Sequence, residues 1–149
     1  MRRSRRLFLA LTLAVGATAC DEKLSTLAGP TPDLEPTFAS IQRDIFETTD
    51  AAGRISCVTC HTNIGRIPAG GMILLHELAY DQLVNVNATQ VPSLKRVSPG
   101  NPDASYIVHK IEGHAGIVGR RMPFNGPPYM TDGQILILRR WIELGAPRN

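Results

Sequence analysis

The sequence predicts an all-α domain of about four helices joined by long loops, on the basis of three observations. Four segments place their apolar residues at helical spacing, and the later two begin with clear capping signals. No stretch alternates apolar and polar residues for more than a few positions, so no strand is predicted. Most glycines and prolines fall between the helical segments, where they favour irregular loops.

The first two helices are predicted from their apolar faces. Segment 37–49 places four apolar side chains on one side: Phe38, Ile41, Ile45 and Phe46. Gly53 follows and is expected to end that element before position 57. A shorter helix is predicted over 80–86, where Tyr80, Leu83 and Val84 form the apolar side.

The last two helices are predicted from their ends. The third opens at Asn101-Pro102-Asp103, because Asn caps helices and Pro fits the first helical turn, and it is expected to stop at Gly113. The fourth lies between the capping-box pattern of Thr131 to Gln134 and the stop signal at Gly145. Its apolar face is expected to pack on the first helix; that face comprises Ile135, Leu138, Trp141 and Ile142.

The N-terminus has the pattern of an export signal. Four arginines lie within the first six residues, and the apolar run 7–19 follows them. That run is shorter than the roughly 20 apolar residues that span a bilayer. We therefore interpret 1–19 as a cleaved signal peptide. The arginine pair at positions 5 and 6 resembles a twin-arginine signal, and the sequence leaves the general secretory and twin-arginine routes open.

Cys20 follows small residues, as in a bacterial lipobox, although Ala17 stands where leucine is usual. If the other two cysteines act together, Cys20 has no partner, and lipidation of a new N-terminus would explain it. Residues 20–36 are rich in proline and acidic side chains and are predicted to form a flexible linker from a lipid anchor to the domain at 37–149. An ordinary signal-peptidase site after Ala19 remains an alternative. The protein is thus expected on the periplasmic side of a bacterial membrane.

The charge of the chain does not favour nucleic-acid binding. The formal net charge is +3, but removal of the four N-terminal arginines leaves 12 Lys and Arg against 13 Asp and Glu. No basic stripe with interleaved aromatic residues occurs in the remaining chain. We therefore expect no nucleic-acid partner.

Residues 57–61, Cys-Val-Thr-Cys-His, form the C-x-x-C-H pattern that is typical of covalent haem attachment. The thiols of Cys57 and Cys60 are suited to add to two porphyrin vinyl groups, and His61 is then held beneath the iron as a ligand. The two alternatives for a C-x-x-C pattern are a zinc site and a thiol redox pair. A zinc site needs two further ligands at paired spacing, and a thiol redox pair needs a βαβ context; neither pattern is present. The motif therefore predicts one covalent haem c.

Met122 is the candidate for the second axial ligand of the iron. It precedes a proline in the loop between the last two helices, and a proline stiffens a loop that presents a ligand. Met72 and Met130 are interpreted as core residues, which is the commoner role of methionine. Among the histidines, His114 is the reserve candidate, His76 is expected to be hydrogen-bonded or exposed, and His109 is expected to lie on the surface or in a loop.

The domain resembles a class I mono-haem c-type cytochrome and is most similar to the short cytochrome c-like domains of planctomycete-type and related bacterial proteins. The resemblance spans about 45–147 and departs from the family at Pro127-Pro128-Tyr129, beside the expected haem edge. It rests on the motif at 57–61 and on four weaker ones: Gly70-Gly71-Met72, Val97 to Ser105, Met122-Pro123 and Trp141 to Pro147. The resemblance implies that Cys57 and Cys60 bind haem and that His61 and Met122 are its axial ligands.

These features predict an electron-transfer protein and not an enzyme, with redox proteins as partners and haem iron as its metal. Cationic side chains at Arg66, Arg96, Arg120 and Arg121 are candidates to pair with haem propionates or an acidic partner. Two alternatives remain: a haem enzyme or gas sensor with a displaceable sixth ligand, and a haem-containing docking module of a larger membrane complex.

Overall fold

The fold is helical, as a computed structural model describing residues 34–149 shows. Within that range the α-helices are α1, Phe38–Ile41; α2, Ala79–Leu83; α3, Tyr106–Glu112; and α4, Asp132–Glu143. α1 continues directly into a π-helical segment, Gln42–Phe46, and 3₁₀ turns lie at Cys57–Thr59, Ala69–Gly71 and Pro102–Ala104. No β-strand forms among these residues, where only isolated bridges occur. The predicted all-α class with long loops is confirmed.

The predicted ends of the last helix are those observed. Thr131 accepts the backbone N–H of Gln134, and the Gln134 side chain accepts the N–H of Thr131, so both halves of the capping box are present before α4. Gly113 ends α3 in the left-handed conformation, as expected. Asn101 caps by accepting the N–H of Ala104, but the element it opens is the 3₁₀ turn, and α3 begins only at Tyr106.

Two helices are shorter than predicted. The first ends at Phe46 and not near position 49, because the hydroxyl of Thr48 donates to the carbonyl of Arg43 and competes with the helical ladder. α2 ends at Leu83 because Val84 takes an extended conformation and pairs with Val97. In both cases a local or tertiary hydrogen bond overrides helical periodicity.

α1 and α4 meet in the core, as the sequence predicts. The Phe38 ring lies 5.5 Å from the Trp141 ring and 5.1 Å from Tyr80, edge-on to the latter. Trp141 is fully buried, and its indole N–H donates to the carbonyl of Pro147. Asn149 also accepts the backbone N–H groups of Phe38 and Ala39, so the C-terminal segment covers the start of α1.

The domain begins earlier than the expected boundary at 37. Leu34 is buried in the core, and the backbone N–H of Glu35 donates to the hydroxyl of Ser40, so 34–36 pack on the domain and do not belong to a flexible linker. The predicted signal peptide, Cys20 and the rest of the linker lie outside the described residues. No helix within 34–149 is both long and apolar enough to cross a bilayer.

Candidate functional site

The Cys-x-x-Cys-His motif forms a compact turn. Cys57–Thr59 is a 3₁₀ helix, and the N–H groups of Cys60 and His61 both donate to the carbonyl of Cys57. This geometry places the two thiols on one short turn, and both are half-buried and free of disulfide bonding. The thiol of Cys57 lies 3.7 Å from the carbonyl oxygen of Ile45, at the end of the first helical element.

Burial raises the pKa of the Cys57 thiol to about 11, although the nearby Arg54 acts in the opposite direction. The thiol is therefore protonated at neutral pH. A thiol redox centre works through a cysteine whose pKa is depressed. The environment of Cys57 is thus the reverse of what the redox-pair alternative requires.

His61 is held in one tautomer. Its Nδ1 lies 2.9 Å from the carbonyl oxygen of Ala69, and because that oxygen can only accept, Nδ1 carries the proton. The lone pair is left on Nε2. Burial also lowers the pKa of His61, which favours the neutral ring. A neutral imidazole with Nδ1–H on a carbonyl and a free Nε2 is the usual state of a histidine that binds a metal.

The segment after the motif folds back to provide this contact. Ala69 donates its N–H to the carbonyl of Cys60 and accepts from the His61 ring, so one residue anchors both parts of the motif. Gly70 and Gly71 follow with φ of +61° and +62°, a conformation that glycine adopts without strain. They allow the chain to reverse immediately after Ala69. The second motif of the family resemblance therefore lies at a turn that orients His61.

Two adjoining cavities open beside the motif. Cavity A, about 130 Å³, is bounded by Phe46, Met72, Leu74, Ile107 and Leu138. Cavity B, about 280 Å³, is bounded by Cys60, Ile55, Pro123 and Phe124. Six residues line both: Cys57, His61, Ala69, Ile111, Met122 and Met130. The walls of both cavities are mostly apolar, as is usual for cofactor sites.

The loop that carries Met122 is fixed to α3 by hydrogen bonds. The N–H of Met122 donates to the carbonyl of Lys110 at 2.7 Å, and Arg121 donates through Nε to the carbonyl of Ile111. The ammonium of Lys110 donates in turn to the carbonyls of Val118 and Arg120. Hydrogen bonds therefore hold the loop at four positions, Val118, Arg120, Arg121 and Met122. Pro123 is expected to stiffen it further.

All four predicted haem-site residues come together at these cavities. Cys57, His61 and Met122 line both, and Cys60 lines cavity B. Met130, interpreted from sequence as a core residue, is buried and also lines both cavities, so it is a second thioether common to both, while Met72 lines cavity A alone. Nothing in the sequence distinguishes it from an ordinary core methionine, because it lies just before the cap of α4.

Three of the other candidates, His114, Arg120 and Arg121, line neither cavity. The Nε2 of His114 bonds to the carboxylate of Glu112. Arg120 lies over the ring of Phe124 and Arg121 over that of Tyr129. The three residues 127–129, where the family resemblance fails, are likewise absent from both cavity walls.

The cavity walls carry cations and no carboxylate. Arg96 and Lys110 line cavity A, Arg54 and Arg66 line cavity B, and no Asp or Glu lines either. Arg54 is neutralised by a fully buried ion pair with Asp50, 3.0 Å away. The charge of the walls is therefore positive, which suits a ligand with acidic groups.

The described residues contain no group of three or more His, Cys, Asp and Glu side chains arranged to hold a metal ion. Residues 34–149 therefore offer no candidate ligand set for the zinc alternative, which requires one. The side chains at these cavities are instead one neutral imidazole, the thiols of Cys57 and Cys60, and the thioethers of Met72, Met122 and Met130, in an apolar surrounding. These donors fit a covalently attached haem, whose iron binds imidazole and thioether and whose ring needs apolar walls.

The chain matches no known protein family, no curated protein and no solved structure.

Proposed function

We propose that this protein is an electron-transfer protein that carries one haem c, attached through Cys57 and Cys60 and ligated by His61 and Met122. The observation that carries the proposal is the orientation of His61. Its Nδ1–H is fixed on the carbonyl of Ala69, which leaves the lone pair on Nε2, and His61 lines both cavities together with Cys57 and Met122. The cytochrome c-like fold suggested by the sequence motifs is part of the same proposal.

Bound at this site, the haem iron supplies a one-electron redox couple. The chain determines how that couple behaves. The thioether of Met122 is a soft ligand that favours the ferrous state and raises the reduction potential. The hydrogen bonds from Met122, Arg121 and Lys110 fix the ligand loop, so little of the protein must rearrange when the charge changes. No catalytic acid or base is needed.

The first test is attachment. Expression of the chain with a bacterial haem-maturation system should give a protein whose haem stays attached during acidic organic extraction. Its optical spectrum should be that of a haem joined to protein through two thioether bonds. Replacement of both cysteines, Cys57→Ser with Cys60→Ser, should abolish attachment. A protein that matures without covalent haem would refute the proposal.

The second test distinguishes between Met122 and Met130, the two methionines that line both cavities. Met122→Ala should convert a low-spin haem that ignores carbon monoxide into a high-spin haem that binds it, with a lower reduction potential. The matched control is Met130→Ala, which also removes a thioether from both cavity walls and should leave the haem low-spin. The reverse pattern would assign the ligand to Met130. A wild-type haem that binds carbon monoxide readily would favour the enzyme or sensor alternative.

We further propose that residues 1–19 direct export, that Cys20 is lipidated and that the domain is tethered at the periplasmic side of a membrane, where it meets redox partner proteins. The unpaired cysteine after an apolar run supports this proposal. Cys20→Ser should release the haem-loaded domain from membranes in fractionated cells. Membrane retention of that variant would contradict lipid anchoring.

A further inference from the structure

Cavity A contains two buried cations that have no acidic partner. Arg96 and Lys110 are each 8% exposed. Neither forms an ion pair within the described residues, and the carboxylates that do form pairs are matched with other basic side chains. Buried charges in folded proteins are ordinarily paired, because an uncompensated charge is costly to remove from water.

The contacts that these cations do make are all to neutral groups. Arg96 donates to the carbonyls of Gln82 and Gly71, to the side-chain oxygen of Gln82 and to the hydroxyl of Thr89. Lys110 donates to the carbonyls of Val118 and Arg120. These bonds orient the two side chains but leave both charges unbalanced. Burial lowers the pKa of each, with no compensating anion.

Both side chains line the same cavity, next to a polar opening. Cavity A is bounded by apolar side chains on most sides and by Thr89 and Gln90, which are exposed, near Arg96. Cys60, by contrast, lines only cavity B. Of the cations that line cavity B, Arg54 is paired with Asp50 and Arg66 is exposed, so the buried cations without a carboxylate partner line cavity A alone. A ligand that suits both cavities is apolar in its body, joins to thiols on one side and carries anions where it meets Arg96 and Lys110.

We propose that Arg96 and Lys110 bind the two propionate carboxylates of the haem. This inference rests on the proposed function and adds the orientation of the group: its vinyl edge towards Cys57 and Cys60, and its acidic edge towards Arg96 and Lys110. Propionate carboxylates beside Arg96 and Lys110 balance both buried charges. Lys110 then has two roles, since it also holds the loop that carries Met122.

The test uses the matured, haem-loaded protein and the propionate-bending band of its resonance Raman spectrum, which responds to hydrogen bonding at the carboxylates. Lys110→Met and Arg96→Gln should each move this band. The matched control is Arg121→Gln, which also removes a cation and a tether of the Met122 loop but lines neither cavity; it should leave the band in place. An unmoved band in both test variants would overturn the inference, as would an equal movement in the control.

A failure to fold does not stop the test, because the wild-type holoprotein can be crystallised. Propionate oxygens within hydrogen-bond distance of Arg96 or Lys110 would support the inference, and propionates at Arg66 or in solvent would overturn it. A failure of the proposed function has a different signature, since in that case no haem is attached and no haem Raman spectrum appears.

Discussion

At the scale of single residues, the approach to the cysteine motif depends on one buried ion pair. The Arg54 and Asp50 side chains are 1% and 4% exposed, and the guanidinium also donates to the carbonyls of Ile45, Thr48 and Ile55. Asp50 additionally accepts the N–H groups of Ala52 and Arg54. The pair therefore joins the end of the first helical element to the residues just before Cys57.

Arg54→Leu should lower the free energy of unfolding by about 3–5 kcal/mol, because it leaves the carboxylate of Asp50 buried without its partner. Arg140→Leu is the matched control, since it breaks an ion pair whose side chains are 58% and 46% exposed; it should cost less than about 1 kcal/mol. Urea denaturation of both variants and the wild type measures the difference. Equal costs would show that burial of the Arg54 pair contributes nothing.

The sequence indicates the residues that carry chemistry at this scale better than those that position them. Cys57, Cys60 and His61 are adjacent, so their pattern is visible without a fold. The carbonyl of Ala69 is not, because any residue type supplies it and only the turn at Gly70 aims it at His61. The position of Lys110 does indicate a special role, because it lies between Ile107 and Ile111 on the apolar side of α3, where a lysine is unusual.

At the scale of elements, the start of α4 directly adjoins the cavities. Met130 lines both cavities, and the next residue is the N-cap of α4. Thr131→Ala should lower the free energy of unfolding by about 1 kcal/mol, because it removes the acceptor for the N–H of Gln134. Thr131→Ser, which keeps that oxygen, should retain most of the stability. Thermal unfolding followed by circular dichroism checks both, and equal losses would argue against the cap.

α4 is also joined to the two elements before it through Arg139, whose guanidinium contacts Asp103 in the 3₁₀ turn and Glu112 at the end of α3. The hydrogen bond from Arg139, and then its charge, lower the pKa of Asp103. Because the unfolded chain has the higher pKa, this pair stabilises the fold above the usual pKa of aspartate. That contribution is lost as the pH falls through the lowered value.

Arg139→Gln should therefore raise the pKa of Asp103 towards its usual value, as measured by carbon NMR titration of the carboxyl group. Arg140→Gln, one residue along the same helix, removes the same charge without touching Asp103 and should change that pKa little. A pKa of Asp103 that stays low in Arg139→Gln would assign the shift to another group.

Capping signals predicted the elements more accurately than periodicity did. Thr131, Gly113 and Asn101 act through bonds to residues within four positions, so the local sequence contains both partners. The early ends of the first helix and of α2 depend instead on Thr48 competing for a carbonyl and on Val97 pairing with Val84. The second of these contacts joins residues 13 apart, so the local pattern carries no information about it.

At the scale of the whole molecule, the core has two unequal parts. One is filled by the chain itself, where Phe38, Tyr80 and Trp141 pack together and α1 meets α4. The other surrounds cavities A and B and is held by loops on either side, 57–72 and 113–130. A small domain has little stability to spare, so a ligand that fills the second part should contribute strongly to folding.

The proposed haem is such a ligand, so the protein without it should lose structure on one side only. In Cys57→Ser with Cys60→Ser, backbone amides of the two cavity loops should exchange with solvent much faster than in the holoprotein, because the apolar walls lose their contacts. Amides of α4 beside Trp141 should remain comparatively protected, and a dye that binds exposed apolar surface should bind to the variant.

Wild-type chain produced without haem maturation is the control for the serine substitutions and should behave identically. Hydrogen exchange measured by mass spectrometry tests the idea, and uniform protection of loops and core alike would show that the cavities do not need a ligand to stay ordered.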